Sequence, residues 1–314
     1  PAVVRLEAQG TVTSALSLLD QPPLSIMEKA GLSPTLADGR LRATGTLALP
    51  LKKGLKTSDL VYNATGTAFN VVSTELIEDR RLAASALRVV ADNTGIAVSG
   101  PGTLDGVPFD AVWTQPISGT PQPGQVTGTL ELSERTIDAF QLGLPPGLVT
   151  GKGRGDIVVD LPVGGRDPTF SLETNLRGIR LSAPPLGWNK PASGTGRLSM
   201  AGSLGQTPRV DRISLDAPGL RATGAITLTP GGGLERARFG RVEVGQWLDA
   251  PVDLIGRGAN TAPAVEVRGG TLDLRKADFG GTGSGTGGQQ GGGPRSLTLE
   301  RLQITDTIGL TNLS

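Results

Sequence analysis

Along most of the chain apolar and polar residues alternate one for one, the pattern of a β-strand with one oily face and one wet face. Between Gly39 and Pro50, Leu41, Ala43, Gly45, Leu47 and Leu49 fall on one side and Arg42, Thr44 and Thr46 on the other. Val126, Gly128, Leu130 and Leu132 repeat the arrangement against Gln125, Thr127, Thr129 and Glu131. Ile157, Val159 and Leu161 alternate with Asp156 and Asp160, and Ala222, Gly224, Ile226 and Leu228 with Arg221, Thr223, Thr227 and Thr229. Breakers suited to hairpin turns and bulges stand between the runs, at Asp38-Gly39, Asp105-Gly106, Gly164-Gly165 and Pro230-Gly231. Ala-Thr-Gly recurs at Ala43, Ala64 and Ala222, consistent with one supersecondary unit used many times. The spacing predicts an all-β meander of roughly twenty strands, which at about 4.8 Å per strand makes a ribbon about 95 Å long.

Three stretches depart toward helix. Ser14 to Leu32 carries Leu16, Leu19, Leu24, Met27 and Ala30, divided by Pro22-Pro23, and reads as two short helices or a turn and a helix. Ser133 is placed to cap a short helix through Leu142, with Ile137 and Phe140 on its apolar side until Pro145-Pro146. Val244 to Ala250 is the third, with Trp247 and Leu248 as packing residues. These segments are expected to plug or cap a sheet edge, where open backbone donors invite aggregation. Residues 280–293 are dominated by glycine with Ser, Thr and Gln, and read as a flexible loop between two strands. Their formal G-x-G-x-x-G, at Gly283, Gly285 and Gly288, leads to Pro294 and a strand where a dinucleotide site needs a helix. The expected organisation is an N-terminal β module over 1–118, a continuing β region over 119–279, the glycine-rich loop over 280–294, and terminal strands over 295–314.

Composition sharpens this. There are 47 glycines and 23 prolines against six Phe, three Trp and one Tyr, so turns are plentiful and bulky core fillers scarce. Thirty basic and 29 acidic residues are spread evenly and leave no footprint for tracking a nucleic-acid backbone, so no nucleic-acid partner is expected. The lack of cysteine removes disulfides and thiolate metal sites and fits a Gram-negative periplasm as readily as a cytosol. The chain begins at Pro1 without a charged leader or an apolar run of membrane-spanning length, and reads as a segment whose anchor lies outside it.

The chemistry available is narrow. With no histidine, Ser-His-Asp and Cys-His catalysis and the neutral-pH proton shuttle are excluded. Asp105, Asp110, Asp156, Asp160, Asp211 and Asp216 remain candidates for general acid or base work, but turn and alternating-strand positions make a solvated face the simpler reading. No catalytic residue, metal or cofactor is expected. Arg154-Gly155-Asp156 spells an integrin tripeptide inside a turn entering a strand, and the sequons at Asn63 and Asn312 look like strand residues. Trp113, Trp188 and Trp247 are read as packing residues rather than bilayer anchors, and ten aromatics are too few for the two girdles of an outer-membrane barrel.

Several longer stretches carry a resemblance. They are Leu18-Leu19-Asp20-Gln21-Pro22-Pro23-Leu24 with Ala30-Gly31-Leu32; Leu47-Ala48-Leu49-Pro50-Leu51 after Gly39; and Gly100 to Pro108 leading to Trp113. Arg135 to Phe140, Val244 to Pro251, Leu299 to Leu302 and Ile308 to Thr311 follow. In this order the text resembles the AsmA-like superfamily, in its YhdP-type branch. The resemblance implies a periplasmic protein anchored in the inner membrane, whose long curved antiparallel sheet forms an open hydrophobic groove toward the outer membrane. It implies phospholipid as cargo, components of both membranes as partners, and a role in outer-membrane lipid homeostasis. The expected lining is Leu41, Leu47, Leu49, Val126, Leu130, Leu132, Ile157, Val159, Leu161, Ile226 and Leu228. Small residues at Ala43, Gly45, Gly128, Ala222 and Gly224 are expected to leave room for acyl chains. Two other readings stand beside it: a structural or adhesive β-solenoid with a sealed core and no lipid cargo, and an enzyme using paired carboxylates.

Overall fold

The alternating runs become strands, and their registers keep each run's oily side facing one way. The computed structural model describes residues 2–21, 27, 33–51, 60–77, 80–117, 120–142, 144, 146–183, 186–205, 207–230, 233–258, 261, 263–277 and 295–313. Among them are twenty strands, two α-helices and a short 3-10 turn, so the all-β expectation holds. Two compact units are present. One comprises 1–130 with 158–166 and the other 131–157 with 167–314, so that β7 (Gly124–Ser133) and β8 (Val149–Leu161) contribute to both.

The first unit is an antiparallel meander. β1 (Ala2–Thr11), β2 (Asp38–Leu49), β3 (Val61–Ser73), β4 (Leu82–Asp92), β5 (Gly95–Leu104), β6 (Val107–Pro116) and β7 pair in chain order. Asp105-Gly106 forms a two-residue turn between the partners Leu104 and Val107, with φ of 51° and 81°, the left-handed pair that a tight hairpin requires. Gly39 instead stands opposite a bulge in β3, where Asn70 and Val71 together face this one residue. Helix α1 (Val12–Leu19) follows β1, and the Thr11 side chain accepts from the Ser14 N–H to cap it. Val12 and Ala37 pack with Leu41, Leu87 and Val89 over a small core of Ala68, Val71 and Ala84. Met27 is buried, while Leu24 and Ala30 lie outside the described residues.

In the second unit β9 (Thr169–Thr174) pairs with β12 (Arg197–Ser203), which begins a meander through β13 (Arg209–Ala217), β14 (Leu220–Leu228), β15 (Leu234–Val244) and β16 (Leu248–Ile255). A side branch joins β8 to β10 (Ile179–Ala183) and β11 (Trp188–Lys190). β16 then pairs with both β17 (Ala264–Arg268) and β18 (Thr271–Asp273), two halves of one strand broken at Gly269-Gly270. β19 (Arg295–Gln303) runs parallel to both halves, and β20 (Gly309–Leu313) closes antiparallel on β19. That parallel pairing departs from the antiparallel expectation. A parallel neighbour needs a crossover of a dozen or more residues, and the chain from Ala277 to Arg295 is long enough. The glycine-rich stretch 280–293 and its G-x-G-x-x-G fall outside the described residues.

One helix expectation holds and another holds in its first part, since past Gln21 the Ser14-to-Leu32 stretch, apart from Met27, lies outside the described residues. Besides α1, helix α2 (Glu134–Ala139) starts after Ser133, whose backbone N–H donates to Thr136 Oγ1 at 3.2 Å. Val244 to Ala250 is not helical. Val244 pairs with Leu248 and Val242 with Ala250 across a hairpin turn in which Gly245 has φ of 52°. The aliphatic run is a strand end, a turn and a strand start. Trp247 and Leu248 are packing residues, as expected.

Candidate apolar binding face

Directly opposite residues of an antiparallel pair share a face, so the registers trace the apolar side from strand to strand. In the first unit Val4 stands opposite Leu47, Leu47 opposite Tyr62, Ala68 opposite Leu87, and Val89 opposite Val98. Val98 then faces Trp113, Trp113 faces Val126, and Phe109 faces Leu130. Leu41, Leu47, Leu49, Val126 and Leu130 therefore lie on one continuous surface. Gln125 Nε2 donates to Asp160 Oδ1 at 2.8 Å, which puts Asp160 on the polar side and, by alternation, Val159 and Leu161 on the apolar one. All seven predicted residues of this unit share the face, and each is half-buried.

The second unit repeats the arrangement. The position a Gly155 Cβ would take lies against Leu132 and Leu172, setting Leu132 and Ile157 beside Leu172. Leu172 then faces Met200, Met200 faces Ile213, and Ile213 faces Gly224. Ile226 faces Val210 and Ala237, and Leu228 faces Leu234. The four predicted residues of this unit, Leu132, Ile157, Ile226 and Leu228, are likewise half-buried on one face.

The small residues play a different part from the one expected. A Cβ on Gly66 would sit 2.8 Å from the Ala43 Cβ, one on Gly45 3.2 Å from that of Ala64, and one on Gly128 2.8 Å from that of Ala111. Opposed Cβ atoms in ordinary ladders are about 4.5–5.5 Å apart, so these pairs bend toward the apolar side. Glycine there permits the bend. At Gly224 the Cβ would meet the Phe239 ring, and Ala222 is buried, so neither leaves open room. Ala222 belongs to a packed core with Trp188, Leu220, Val242, Val244, Trp247 and Leu248. Trp188 Nε1 donates to the Pro218 carbonyl at 2.8 Å, tying that core to the β13–β14 turn. Trp188 and Trp247 thus pack as expected, whereas Trp113 is half-buried on the first unit's open face.

The opposite faces carry the acidic candidates, interspersed with apolar residues such as Val3, Val61 and Val112. Asp110, Asp156, Asp160, Asp211 and Asp216 are exposed, Asp211 and Asp216 pair with Arg209 and Arg221, and Asp105 pairs with Arg80 in its turn. Hydrogen bonds from the Arg80 side chain and the Arg81 backbone hold the Asp105 carboxyl below its ordinary range. Burial, with the nearby Asp92 charge, pushes the Tyr62 phenol up. A hollow of about 420 Å³ at the β13–β14 turn is lined by Asp216, Arg221 and Glu243 and by the turn itself, on the polar side. Asp253 escaped the sequence reading. It is 1 % exposed, accepts from Arg268 Nη2 at 2.8 Å, and lies within 4 Å of Arg236 and Arg238. Its charge on an alternating strand gives no sign of burial, which comes from three arginines on neighbouring strands. Among the described residues no group of three or more acidic side chains gathers as a cation site, and no helix is long and apolar enough to cross a membrane.

The sequence also passed over much of the lining. Val4 and Leu6 follow the same alternation as β2 and were legible in principle. β4 was not, because Leu87, Val89 and Val90 put apolar residues on both of its sides. Comparison with protein-family models, curated proteins and solved structures found no match.

Proposed function

We propose that the chain is a lipid-shielding segment of a periplasmic bridge-like protein of the AsmA-like kind, holding phospholipid acyl chains on the apolar faces of its sheets. The observation that carries the reading is the first unit's surface: one apolar face kept in register across seven paired strands, with every predicted lining residue half-buried rather than sealed. A chain of methylenes laid on such a face gains about 0.8 kcal/mol per group removed from water. The face offers no directional partner along a strand, so a tail is held and remains free to slide. The work is shielding and needs no catalyst. Anchoring in the inner membrane outside this chain, delivery toward the outer membrane and a part in its lipid homeostasis belong to the same proposal.

Native mass spectrometry of the purified chain is expected to show bound phospholipid. Leu130→Asp and Ile226→Asp, each placing a carboxylate on one unit's face, are expected to reduce the bound lipid at least tenfold with β circular dichroism unchanged. Wild-type protein that carries no lipid and takes up no fluorescent phospholipid contradicts the proposal. The packed core around Trp188 and Trp247 favours the alternative of a structural or adhesive sheet in one part of the second unit, where the oily side is already covered by the chain itself. Lipid retained after Ile226→Asp but lost after Leu130→Asp would confine cargo to the first unit.

A further inference from the structure

β15, β16 and β17 gather a cluster of charges that the acyl-chain reading does not use. Ala237 of β15 shares a face with Ile226, so its neighbours Arg236 and Arg238 stand on the other side of the sheet. There Arg238 lies directly opposite Asp253, and Asp253 opposite Glu266. Arg236 and Arg268 sit one same-face step away, in opposite directions along β16. Three guanidiniums thus ring one buried carboxylate, which cannot satisfy them all. Among the described residues their side chains make a single hydrogen bond, from Arg268 Nη2 to Asp253 Oδ1 at 2.8 Å. Arg236 Nε and Arg238 Nε stop at 3.5 Å and 3.7 Å from Asp253 Oδ2, and Arg236 Nε is buried with no hydrogen-bond partner. Glu266 Oε2 lies 3.8 Å from Arg236 Nη2, also too far for one. Three cations stand against two carboxylates, and the arginine side chains remain 42 %, 60 % and 44 % exposed. The cluster keeps a net positive charge and donors open to solvent.

We infer that Arg236, Arg238 and Arg268 form a phosphate-binding site, with Asp253 as the fixed counter-charge that holds the three guanidiniums together. Three like charges this close repel one another; Asp253 offsets that repulsion from beneath and leaves the outer donors unspent. Each guanidinium is a planar fork suited to the oxygens of a phosphate. A phosphate group's oxygens diverge, so several forks can be served at once, whereas a carboxylate's two lie in one plane and are filled by one fork. The ligand is a phosphate group, whether of free inorganic phosphate or of an anionic lipid headgroup at a membrane surface. Because this site and the apolar face lie on opposite sides of the sheet, the inference stands whether or not acyl chains are bound.

Isothermal titration of the whole chain with inorganic phosphate at low ionic strength, and co-sedimentation with phosphatidylglycerol vesicles, separate the two sources. Arg238 is the residue to change, because Asp253 keeps its hydrogen bond from Arg268 without it. Arg238→Gln is expected to weaken phosphate binding roughly tenfold, with β circular dichroism unchanged. Arg238→Lys keeps a cation over Asp253 and so preserves the fold, but loses the fork, and is expected to bind phosphate more weakly than wild type. Arg212→Gln, which removes an exposed charge on β13, controls for net charge and should bind as wild type does. A saturable titration identifies free phosphate as sufficient; vesicle retention that drops in Arg238→Gln without a solution isotherm identifies the headgroup. Wild type that binds phosphate in neither form overturns the inference, as does binding that Arg238→Gln leaves intact or that Arg212→Gln weakens as much.

Discussion

Lys190 shows how one side chain can fix a turn that no pattern announces. It is 1 % exposed, and its ammonium donates to the carbonyls of Leu176 and Ile179 at 2.7 Å and of Pro191 at 3.1 Å. Burial pushes the amine's pKa down, while three carbonyl acceptors supply what water gave the charge. Lys190→Met removes the ammonium donor from these carbonyls, of which Leu176 keeps the Ile179 N–H, and is expected to lower unfolding free energy by about 1–3 kcal/mol in urea titration; an unchanged midpoint would show that water replaces the amine. A lysine on a three-residue strand reads as a solvent-facing charge, so this role was not legible in the sequence. Asp105 was legible as a turn residue but not as an ion-pair partner. Its folded pKa lies below the ordinary 3.8, so its stabilisation is complete above that value and is lost as pH falls through the folded pKa. Asp105→Asn keeps a residue tolerant of positive φ but loses the charge. It is expected to cost about 1 kcal/mol at pH 7 and much less near pH 3, in urea titrations at the two pH values.

At the scale of strands and turns, the sequence was most informative where one face was oily and the other wet. β2, β7, β8 and β14 are strands over their predicted runs, and Asp105-Gly106 is the hairpin it looked like. The failure at Val244 to Ala250 has a physical cause. A glycine-bearing turn between two apolar strand ends mimics one helical turn, and only the pairing of Val244 with Leu248 distinguishes them. Glycine on the apolar side was read as spare volume, but its use depends on how closely the next strand approaches, which composition cannot report. A Cβ on Gly128 would press on the Asp110 carbonyl and on Ala111, whereas one on Gly10 would meet nothing within 4 Å. Gly128→Ala is therefore expected to destabilise by about 1–3 kcal/mol through forced strand movement. Gly10→Ala should stay within about 0.5 kcal/mol of wild type, both read from thermal and urea unfolding. Equal effects at the two sites would refute the close approach of β6 and β7.

For the molecule as a whole, alternation foretold the sheet character and the sidedness of each strand, and the eleven predicted lining residues lie on the oily faces of their units. What alternation could not foretell was closure. Whether an apolar side stays open or is covered depends on contacts distant in sequence, and the second unit closes part of its own face with Trp188 and Trp247. The parallel placement of β19 was hidden for a related reason, since a strand's pattern does not record its partner's direction. Trp113, set between Val98 and Val126 on the first unit's open face, reports directly on occupancy by acyl chains. Its fluorescence in the presence of phospholipid brominated along the acyl chain is accordingly the most direct measurement. Quenching is expected in the wild-type chain and should be lost in Trp113→Phe, which leaves the packed Trp188 and Trp247 as the remaining emitters. Wild-type emission that brominated lipid leaves undimmed, or quenching that persists in full without Trp113, would contradict an acyl-chain face in the first unit.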